Sequence, residues 1–258
     1  MNVRLEAFRK KLAEGKMVKG FFLNLADPAV SEMAGYAGYD YEWIDAEHGP
    51  LGRVEILHHV MAAQGTGCCA FVRVPGTSVT PMKAILDMGP DGIIFPFVTT
   101  AEDARRAVAA CSYPDSEYHG VRGQGPIRAI HYGFMDEGEF LKTAYEQVFK
   151  VMQIENLEGY HNLDEILQVK GIDCIFIGGA DMSRSIAAKG GKETFEEVKN
   201  DISKRVRDAG IIFGVPTGTT TENARKAKED GAQFVVFGQD ARILASGLKE
   251  NLKAFDGY

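Results

Sequence analysis

A chain of 258 residues with 45% hydrophobic and 25% charged residues has the composition of a globular protein and the length to bury one large core. This composition excludes the disordered and fibrous classes. The 29 basic and 36 acidic side chains give a formal charge of −7, which disfavours nucleic acid or an anionic membrane surface as the main partner.

The cysteines and the apolar runs bear on the cellular compartment of the protein and on whether it spans a membrane. Cys68, Cys69, Cys111 and Cys174 show no CxxC spacing and lie mostly in apolar runs, which predicts reduced and buried thiols. No stretch approaches the roughly 18 apolar residues of a membrane span, and the N-terminus lacks the apolar core of a signal peptide. We therefore expect a soluble protein in the cytoplasm.

The N-terminal region predicts two helix starts. Leu5, Phe8 and Leu12 fall at helical spacing among Arg and Lys residues, which predicts a short amphipathic helix that caps the fold. Further along, Asp27 and Pro28 predict the start of a second helix, with Asp27 as the N-cap and Pro28 at the first helical position.

Short apolar runs alternate with helical patterns along the chain, and such runs are typical of parallel strands covered on both faces. Eight alternating units predict a TIM (β/α)8 barrel rather than an open doubly wound sheet. No linker interrupts them, so we expect one domain over residues 1–258. The predicted strands are 17–24, 41–45, 69–75, 91–96, 148–154, 174–177, 211–216 and 234–238. Helices are predicted at 54–63, 82–88 and 100–110, the last with Thr100 as its N-cap.

The segment 112–138 breaks this alternation. It is rich in Gly, Tyr and Arg, and we interpret it as a long loop over the mouth of the site. Arg122 or Arg128 would be available there for a substrate or for structural ion pairs. The glycines of 120–125 are weak evidence for a phosphate loop, because no strand-to-helix junction precedes them and no GK[ST] follows.

Polar side chains are concentrated where the predicted strands end. In a TIM barrel the active site lies at the carboxyl ends of the strands, so this concentration favours an enzyme. The candidate residues are Asp45, His48, Arg73, Gln153, Glu155 and Asp181.

Glu155 and Asp181 each follow a buried strand. Two carboxylates at neighbouring strand ends would bind one hard divalent cation and leave positions for water or substrate, as Mg²⁺ and Mn²⁺ prefer. The alternative is that each carboxylate caps the helix that follows it. Glu is a poor N-cap residue, so the metal interpretation is favoured.

Arg73 and His48 have chemistry that suits a reaction. A guanidinium at the end of a barrel strand needs an anion, which is either an acid such as Asp45 or a substrate carboxylate or enolate oxygen. His48 is suited to proton transfer near neutral pH, with Asp45 placed to orient its ring. The alternative for His48 is a solvated loop side chain.

With these residues in place, the sequence resembles the HpcH/HpaI aldolase family, the metal-dependent class II pyruvate aldolases of the phosphoenolpyruvate/pyruvate barrel superfamily. The resemblance covers nearly the whole chain, and the motifs fall in the same order. They are Ile44-Asp45-Ala46-Glu47-His48-Gly49, Val72-Arg73-Val74-Pro75, Gly120-Val121-Arg122-Gly123, Gln153-Ile154-Glu155 and Phe176-Ile177-Gly178-Gly179-Ala180-Asp181.

The resemblance implies reversible cleavage of a 4-hydroxy-2-oxo acid into pyruvate and an aldehyde, through a pyruvate enolate held by the metal. Glu155 and Asp181 would hold Mg²⁺ or Mn²⁺, with Co²⁺ as another candidate, and Arg73 would stabilise the enolate oxygen. His48, oriented by Asp45, would carry protons. The pyruvate carboxylate would be bound by Gln153 and the backbone N–H groups near Gly179 and Ala180. The motifs leave the aldehyde open.

Two departures and one further element bear on this resemblance. The family commonly has Gly-Pro-Ala-Asp where this chain has residues 178–181 with Gly179, and Gly-Ser-Asp where this chain has Gln239 before Asp240. The family is typically a homo-oligomer, commonly a hexamer, with a C-terminal helix exchanged between subunits. Residues 240–255 predict that helix, with an apolar stripe of Ile243, Leu244, Leu248 and Leu252.

Three rival functions are left open. A class I Schiff-base aldolase needs a lysine in the site, but Lys150 precedes Glu155 by five residues and lies roughly 16 Å towards the other end of its strand. Lys19 is likewise early in its strand. Another carbon–carbon lyase or an oxo-acid decarboxylase would use the same enolate site. A barrel that only binds a small acid is disfavoured, because buried charges are expensive to keep without a use.

Overall fold

Eight strands form the inner wall of the molecule. They are β1 (Val18–Leu23), β2 (Tyr41–Asp45), β3 (Cys69–Arg73), β4 (Gly92–Phe95), β5 (Phe149–Ile154), β6 (Cys174–Ile177), β7 (Ile212–Pro216) and β8 (Phe234–Gln239). Each strand pairs in parallel with the next, and β8 pairs with β1 to close the barrel. The predicted TIM barrel is confirmed.

The computed structural model describes residues 2–125, 127–189 and 193–256, without the side chains of residues 79–81. The ends of the predicted domain, Met1 and residues 257–258, lie outside the described residues, as do Pro126 of the predicted loop and residues 190–192.

Helices surround the barrel. They are α1 (Val3–Ala13), α2 (Ala29–Ala37), α3 (Arg53–Gly65), α4 (Val79–Asp87), α5 (Ala101–Ala110), α6 (Glu137–Thr143), α7 (Leu157–His161), α8 (Leu163–Leu167), α9 (Gly179–Ala188), α10 (Phe195–Asp208), α11 (Thr221–Glu229) and α12 (Asp240–Lys253). Among the described helices, none has the length and the apolar character that crossing a bilayer requires.

The strands are mostly apolar because both of their faces are largely buried. Along β2, Tyr41 and Trp43 join an inner cluster with Phe71 of β3, whereas Ile44 joins the outer cluster between the strands and the helices. Alternation between two apolar environments leaves no polar face on a strand, which is why the runs read as continuous.

The helix α1 closes the amino-terminal end of the barrel. Its buried residues are the predicted Leu5, Phe8 and Leu12. The Phe8 ring enters the inner cluster, with its centroid 5.2 Å from that of Phe71 and 5.4 Å from that of Phe149. The predicted capping helix is confirmed.

The predicted start of α2 is wrong by one residue. The helix begins at Ala29 with Pro28 in the N-cap position, and Asp27 lies outside it. The Asp27 carboxylate still accepts a hydrogen bond from the Ala29 N–H at 3.0 Å, because that donor has no partner within the helix. The prediction of Thr100 as the N-cap of α5 is confirmed by a capping box with Asp103.

The segment 112–138 lies at the amino-terminal end of the barrel, so its predicted place over the mouth is wrong. It follows α5, which runs antiparallel to the strands and ends beside their starts. Arg122 is buried and donates to the carbonyl of Leu86 at 3.1 Å, and Arg128 donates to that of Met88 at 2.6 Å. Both carbonyls belong to the C-terminal end of α4. The segment also contains a 3₁₀ turn at His131–Gly133 and the start of α6.

Candidate active site

The predicted polar residues meet at the carboxyl ends of four strands. Asp45 and Arg73 are the last residues of β2 and β3 and are partners in the strand register. Glu155 directly follows β5, and Asp181 lies in the first turn of α9, which begins two residues after β6 ends. The parallel barrel delivers all four side chains to the same mouth.

Arg73 is held in one orientation. Its Nε lies 2.9 Å from Oδ1 of Asp45 and its Nη2 lies 2.8 Å from Oδ2, which is the two-pronged geometry of a strong pair. Its guanidinium also lies over the rings of Phe22 and Trp43, with centroids 5.3 and 5.5 Å away. A fixed, buried guanidinium at the mouth is prepared to meet an anion without reorganisation.

The other contacts of Asp45 leave no place for the His48 ring. Its carboxylate accepts from the Asn24 side-chain amide at 3.0 Å and from the backbone N–H groups of Glu47 and His48 at 3.2 and 3.3 Å. The expected orientation of the His48 ring by Asp45 is therefore wrong. The ring is 65% exposed, and its Nε2 lies 3.6 Å from Oε2 of Glu47.

Glu47 is a site residue that the sequence interpretation missed. Its Oε2 lies 3.0 Å from Nη1 of Arg73 but does not meet it at a hydrogen-bonding angle, so this buried oxygen has no donor among the described residues. Burial raises the pKa of Glu47, Arg73 and His48 lower it, and Asp45 and Asp181 raise it further. The spacing Asp45-x-Glu47 could have predicted it, because two residues after the strand end a second carboxylate can again point towards the mouth.

Glu155 is buried and is held by two donors. The Phe97 N–H donates to Oε1 at 2.7 Å, and the Gln153 side-chain amide donates to Oε2. Burial raises the pKa of Glu155 to about 7, and the charges of Glu47 and Asp181 act in the same direction. The Phe97 N–H and Arg73 act in the opposite direction. The carboxylates of Glu47, Glu155 and Asp181 therefore lie close enough to influence one another, with the guanidinium of Arg73 beside them.

Gly178 is required for space at this point. A Cβ on Gly178 would lie 2.3 Å from Oε2 of Glu155 and 2.8 Å from Nε2 of Gln153. Any larger residue would therefore displace the carboxylate. The Gln153 Oε1 is also buried with no donor among the described residues.

Neither Glu155 nor Asp181 caps a helix, so the capping interpretation is wrong. The N-cap of α7 is Asn156, whose side chain accepts from the Gly159 N–H at 2.7 Å, and the N-cap of α9 is Gly178, which has no capping side chain. Asp181 and the backbone at Gly179 and Ala180 therefore lie at an uncapped helix start beside Glu155.

The donor set fits a hard divalent cation. Within residues 2–125, 127–189 and 193–256, no three His, Cys, Asp or Glu side chains form a ready metal cage. Glu155 and Asp181 supply two carboxylates. Burial is the main reason why the pKa of Glu155 is raised, and a cation beside the two carboxylates would offset the repulsion that adds to it. Two carboxylates leave positions for water and substrate, which suits Mg²⁺ or Mn²⁺ better than a closed cage of nitrogen and sulfur ligands.

Residues 19–246 match the family model described as HpcH/HpaI aldolase/citrate lyase. The chain belongs to this family. A 4-hydroxy-2-oxovalerate aldolase of Rhodococcus jostii is 37% identical over 249 residues, covering 95% of this chain and 94% of that protein. A hydroxypyruvate/pyruvate aldolase of Pseudomonas aeruginosa is 33% identical over 259 residues, covering 100% of this chain and 95% of that protein.

The fold agrees with the family. The crystal structure of an HpcH/HpaI aldolase from Desulfitobacterium hafniense superimposes with a TM-score of 0.87 at 28% identity, covering 97% of this chain and 96% of that one. The predicted family is confirmed, and the protein is an enzyme of the aldolase type, a carbon–carbon lyase.

Lys150 lies far from this mouth. It is the second residue of β5, at the amino-terminal end, and its Nζ donates to the carbonyls of Val148 at 2.7 Å and Tyr145 at 2.9 Å. It also lies 3.0 Å from Oδ2 of Asp173. The ammonium group is held by two carbonyls and a carboxylate at the amino-terminal end, so Lys150 is not placed to form a Schiff base in this site.

Proposed function

We propose that this aldolase cleaves a 4-hydroxy-2-oxo acid reversibly into pyruvate and an aldehyde with the help of a divalent cation. The observation that carries the proposal is that two carboxylates, Glu155 and Asp181, lie at the same mouth as the fixed guanidinium of Arg73. The names of the two relatives, with 4-hydroxy-2-oxovalerate and pyruvate as substrates, support this class of reaction.

Glu155 and Asp181 would hold the cation, with Mg²⁺ or Mn²⁺ as the first candidates and Co²⁺ as another. When bound, such a cation acts as a Lewis acid and a template for an oxo acid. Gly178 allows Glu155 to approach the start of α9, and the Phe97 N–H fixes the other carboxylate oxygen. The space at Gly178 and the Phe97 N–H together fix the position of the Glu155 carboxylate without a cation.

Arg73 would stabilise the negative charge that develops on the enolate oxygen when the C3–C4 bond breaks. A donor that is already oriented by Asp45 and by two aromatic rings needs no rearrangement during the reaction. Such preorganised donors contribute about 10² to 10³ in rate in comparable sites. Asp45 acts through Arg73, as a positioning residue.

Gln153 and the start of α9 would bind the pyruvate carboxylate. The Gln153 amide spends one hydrogen on Glu155 and has a second one to donate. The backbone N–H groups at Gly179 and Ala180 belong to a helix start with no side-chain cap, which favours an anion.

His48 would move the proton between the C4 hydroxyl of the substrate and solvent. Its ring lies at the rim, where it is open to water and faces Glu47 rather than Asp45. Glu47 therefore joins His48 to Arg73, and its charge state responds to both. In this proposal the proton carrier works beside the oxyanion donor.

The second candidate is another carbon–carbon lyase or an oxo-acid decarboxylase, since the family description also includes citrate lyase. The same enolate site would serve oxaloacetate. Turnover of oxaloacetate compared with that of 4-hydroxy-2-oxo acids separates the two candidates. We expect the hydroxy-oxo acid to be the better substrate.

The test removes the cation and disturbs its site separately. We expect EDTA to abolish pyruvate formation from 4-hydroxy-2-oxovalerate, and Mg²⁺ or Mn²⁺ to restore it. Gly178→Ala displaces Glu155, so the cation affinity measured by calorimetry falls by about tenfold or more. Gly65→Ala is the matched control, because Gly65 is an exposed helix residue of α3 and a Cβ there meets nothing within 4 Å. Full activity in EDTA, or equal affinity in both variants, would refute the metal assignment.

The proposal includes a homo-oligomer, with a hexamer as the first expectation, in which α12 packs on a partner subunit. The predicted helix is present, and its apolar stripe is exposed in the single chain, with Ile243, Leu244, Leu248 and Leu252 between 54% and 71% exposed. Leu248→Glu is expected to reduce the mass measured by analytical ultracentrifugation. The four buried free thiols support a reducing, cytoplasmic location.

A further inference from the structure

A cavity lined by several arginines lies at the opposite end of the barrel from the candidate active site. It has a volume of about 630 Å³ and lies between the start of α1, the C-terminal ends of α3 and α4, and the segment 112–138. None of its lining residues belongs to the mouth. The proposed aldolase reaction therefore leaves this cavity unused.

The charged groups that line this cavity are all cationic. Arg4, Arg122 and Arg128 line it together with His131, and no carboxylate is among its described lining residues. The neighbouring cavity of about 650 Å³ on the other side of α1 has the opposite character, because carboxylates outnumber cations in its lining. Three arginines around one cavity stand out in a chain with a formal charge of −7.

Two of these arginines have buried N–H groups without acceptors. Arg122 is 2% exposed, and its Nε has no partner among the described residues, although its Nη2 donates to the Leu86 carbonyl at 3.1 Å and lies 3.4 Å from Oδ1 of Asp87. The Nε of Arg4 is likewise buried without an acceptor, although its Nη2 lies 3.3 Å from Oδ1 of Asp91. Unsatisfied buried donors are rare and call for an explanation.

Arg128 makes only neutral contacts. Its two terminal nitrogens donate to the Met88 carbonyl at 2.6 Å and to Oε1 of Gln64 at 2.8 Å. No carboxylate of the described residues lies within ion-pair distance of it. Burial lowers the pKa of Arg128, Tyr132 raises it, Arg4 lowers it and Asp91 raises it, so burial without a paired anion is the main cause of the lowered pKa.

We propose that this cavity binds a small organic oxyanion, a carboxylate or a phosphate carried on an apolar body. The half-buried Arg128 supplies the direct contact, since its guanidinium has N–H groups to spare and the fork geometry that oxyanions prefer. Arg4 and Arg122 lie beside it, and each also pairs with a carboxylate, Asp91 at 3.3 Å and Asp87 at 3.4 Å. Met61, Tyr132 and Phe134 give the cavity an apolar side for the rest of the ligand.

The test titrates the full chain with two probes, succinate and inorganic phosphate, by calorimetry at constant ionic strength. Mg²⁺ and pyruvate are present in excess, so that the active site is filled. We expect one saturable site per chain. Arg128→Gln is expected to weaken it by about tenfold or more, because it removes a charge-assisted hydrogen-bond partner. Arg225→Gln is the matched control, because Arg225 is exposed on α11 and its substitution removes the same charge.

Each outcome decides a part of the proposal. Preference for succinate supports a carboxylate ligand, and preference for phosphate supports a phosphate ligand. No saturable binding of either probe overturns the proposal, as does equal weakening in Arg128→Gln and Arg225→Gln. Should Arg128→Gln fail to fold, Arg128→Lys keeps the charge but loses the fork. Undiminished binding in that variant would also overturn the assignment to Arg128.

Discussion

The two ends of the barrel treat buried charge in opposite ways. At the amino-terminal end, Asp91 accepts from the Gln64 amide at 3.0 Å and the Ala70 N–H at 2.9 Å, and also pairs with Arg4. Asp173 is likewise paired with Arg9 at 2.8 Å and Lys150 at 3.0 Å. The carboxylates at this end are satisfied by the chain itself.

At the mouth the carboxylates outnumber their partners. Glu47 has a buried oxygen without a donor, Gln153 has a buried oxygen in the same state, and the pKa of Glu155 is raised to about 7. Folded proteins pair nearly all buried polar groups, so groups that the chain leaves unpaired mark where a ligand completes the structure. The cavity lined by Arg4, Arg122 and Arg128 is the exception at the amino-terminal end, because two of these arginines have a buried Nε without an acceptor.

The largest expected change in stability concerns the paired charges at the amino-terminal end of the barrel. Lys150→Met breaks a buried pair with Asp173 and removes two hydrogen bonds to carbonyls. We expect the free energy of unfolding in urea to fall by about 3 kcal/mol, with kcat unchanged within about twofold. Lys170→Met on the surface is the control. Loss of kcat at full stability, or a borohydride-trapped pyruvate adduct on Lys150, would contradict the division between the two ends.

A second test uses Glu42, a buried carboxylate of β2 that belongs neither to the candidate active site nor to the lining of the arginine-lined cavity. Glu42 is fully buried in β2, neither of its oxygens has a hydrogen-bond partner among the described residues, and burial raises its pKa from 4.5 to about 7. The folded state holds this proton more tightly than the unfolded state. Stability from Glu42 is therefore complete below pH 4.5 and is lost as the pH rises through 7.

Glu42→Gln removes this pH dependence. We expect the variant to be more stable than the wild type by about 2 kcal/mol at pH 8 and to be close to it at pH 5, with unchanged activity. The measurement is urea unfolding at both pH values, with the exposed Glu165→Gln as the control. An equal difference at the two pH values would contradict the raised pKa, and lost activity would link Glu42 to the mouth.

The smallest effect concerns the departure at Gly179. Proline suits the first position of a helix, so Gly179→Pro should raise the free energy of unfolding by about 0.5 kcal/mol. The Phe195 ring must give way slightly, because a Cβ there would lie 3.3 Å from its Cζ. We expect KM for the oxo acid to change by less than about threefold, since the Ala180 N–H is retained. A tenfold rise would make the Gly179 N–H the main carboxylate contact.

The sequence was sufficient to predict the barrel and the residues at its mouth. Parallel strands bring their carboxyl ends together, so Asp45, Arg73, Glu155 and Asp181 had to meet once the strands were recognised. The buried interior made those strands easy to recognise, because both faces of each strand are apolar.

What failed was side-chain direction in the irregular segments. Spacing placed Asp45 near His48 but could not show that the lone pairs of Asp45 were already used by Arg73, Asn24 and backbone N–H groups. Glu47 was missed for the same reason. The place of segment 112–138 was deducible, since a connection from a helix to the next strand lies at the amino-terminal end of a barrel.

The most direct test of the mouth follows the methyl protons of pyruvate in D₂O by NMR. With Mg²⁺ we expect exchange above the protein-free rate, and no such exchange with EDTA. Arg73→Ala should slow it by about a hundredfold or more, whereas Arg225→Ala should leave it unchanged. Exchange that persists in EDTA, or that survives the loss of Arg73, would contradict the claim that the cation and the fixed guanidinium form the enolate site together.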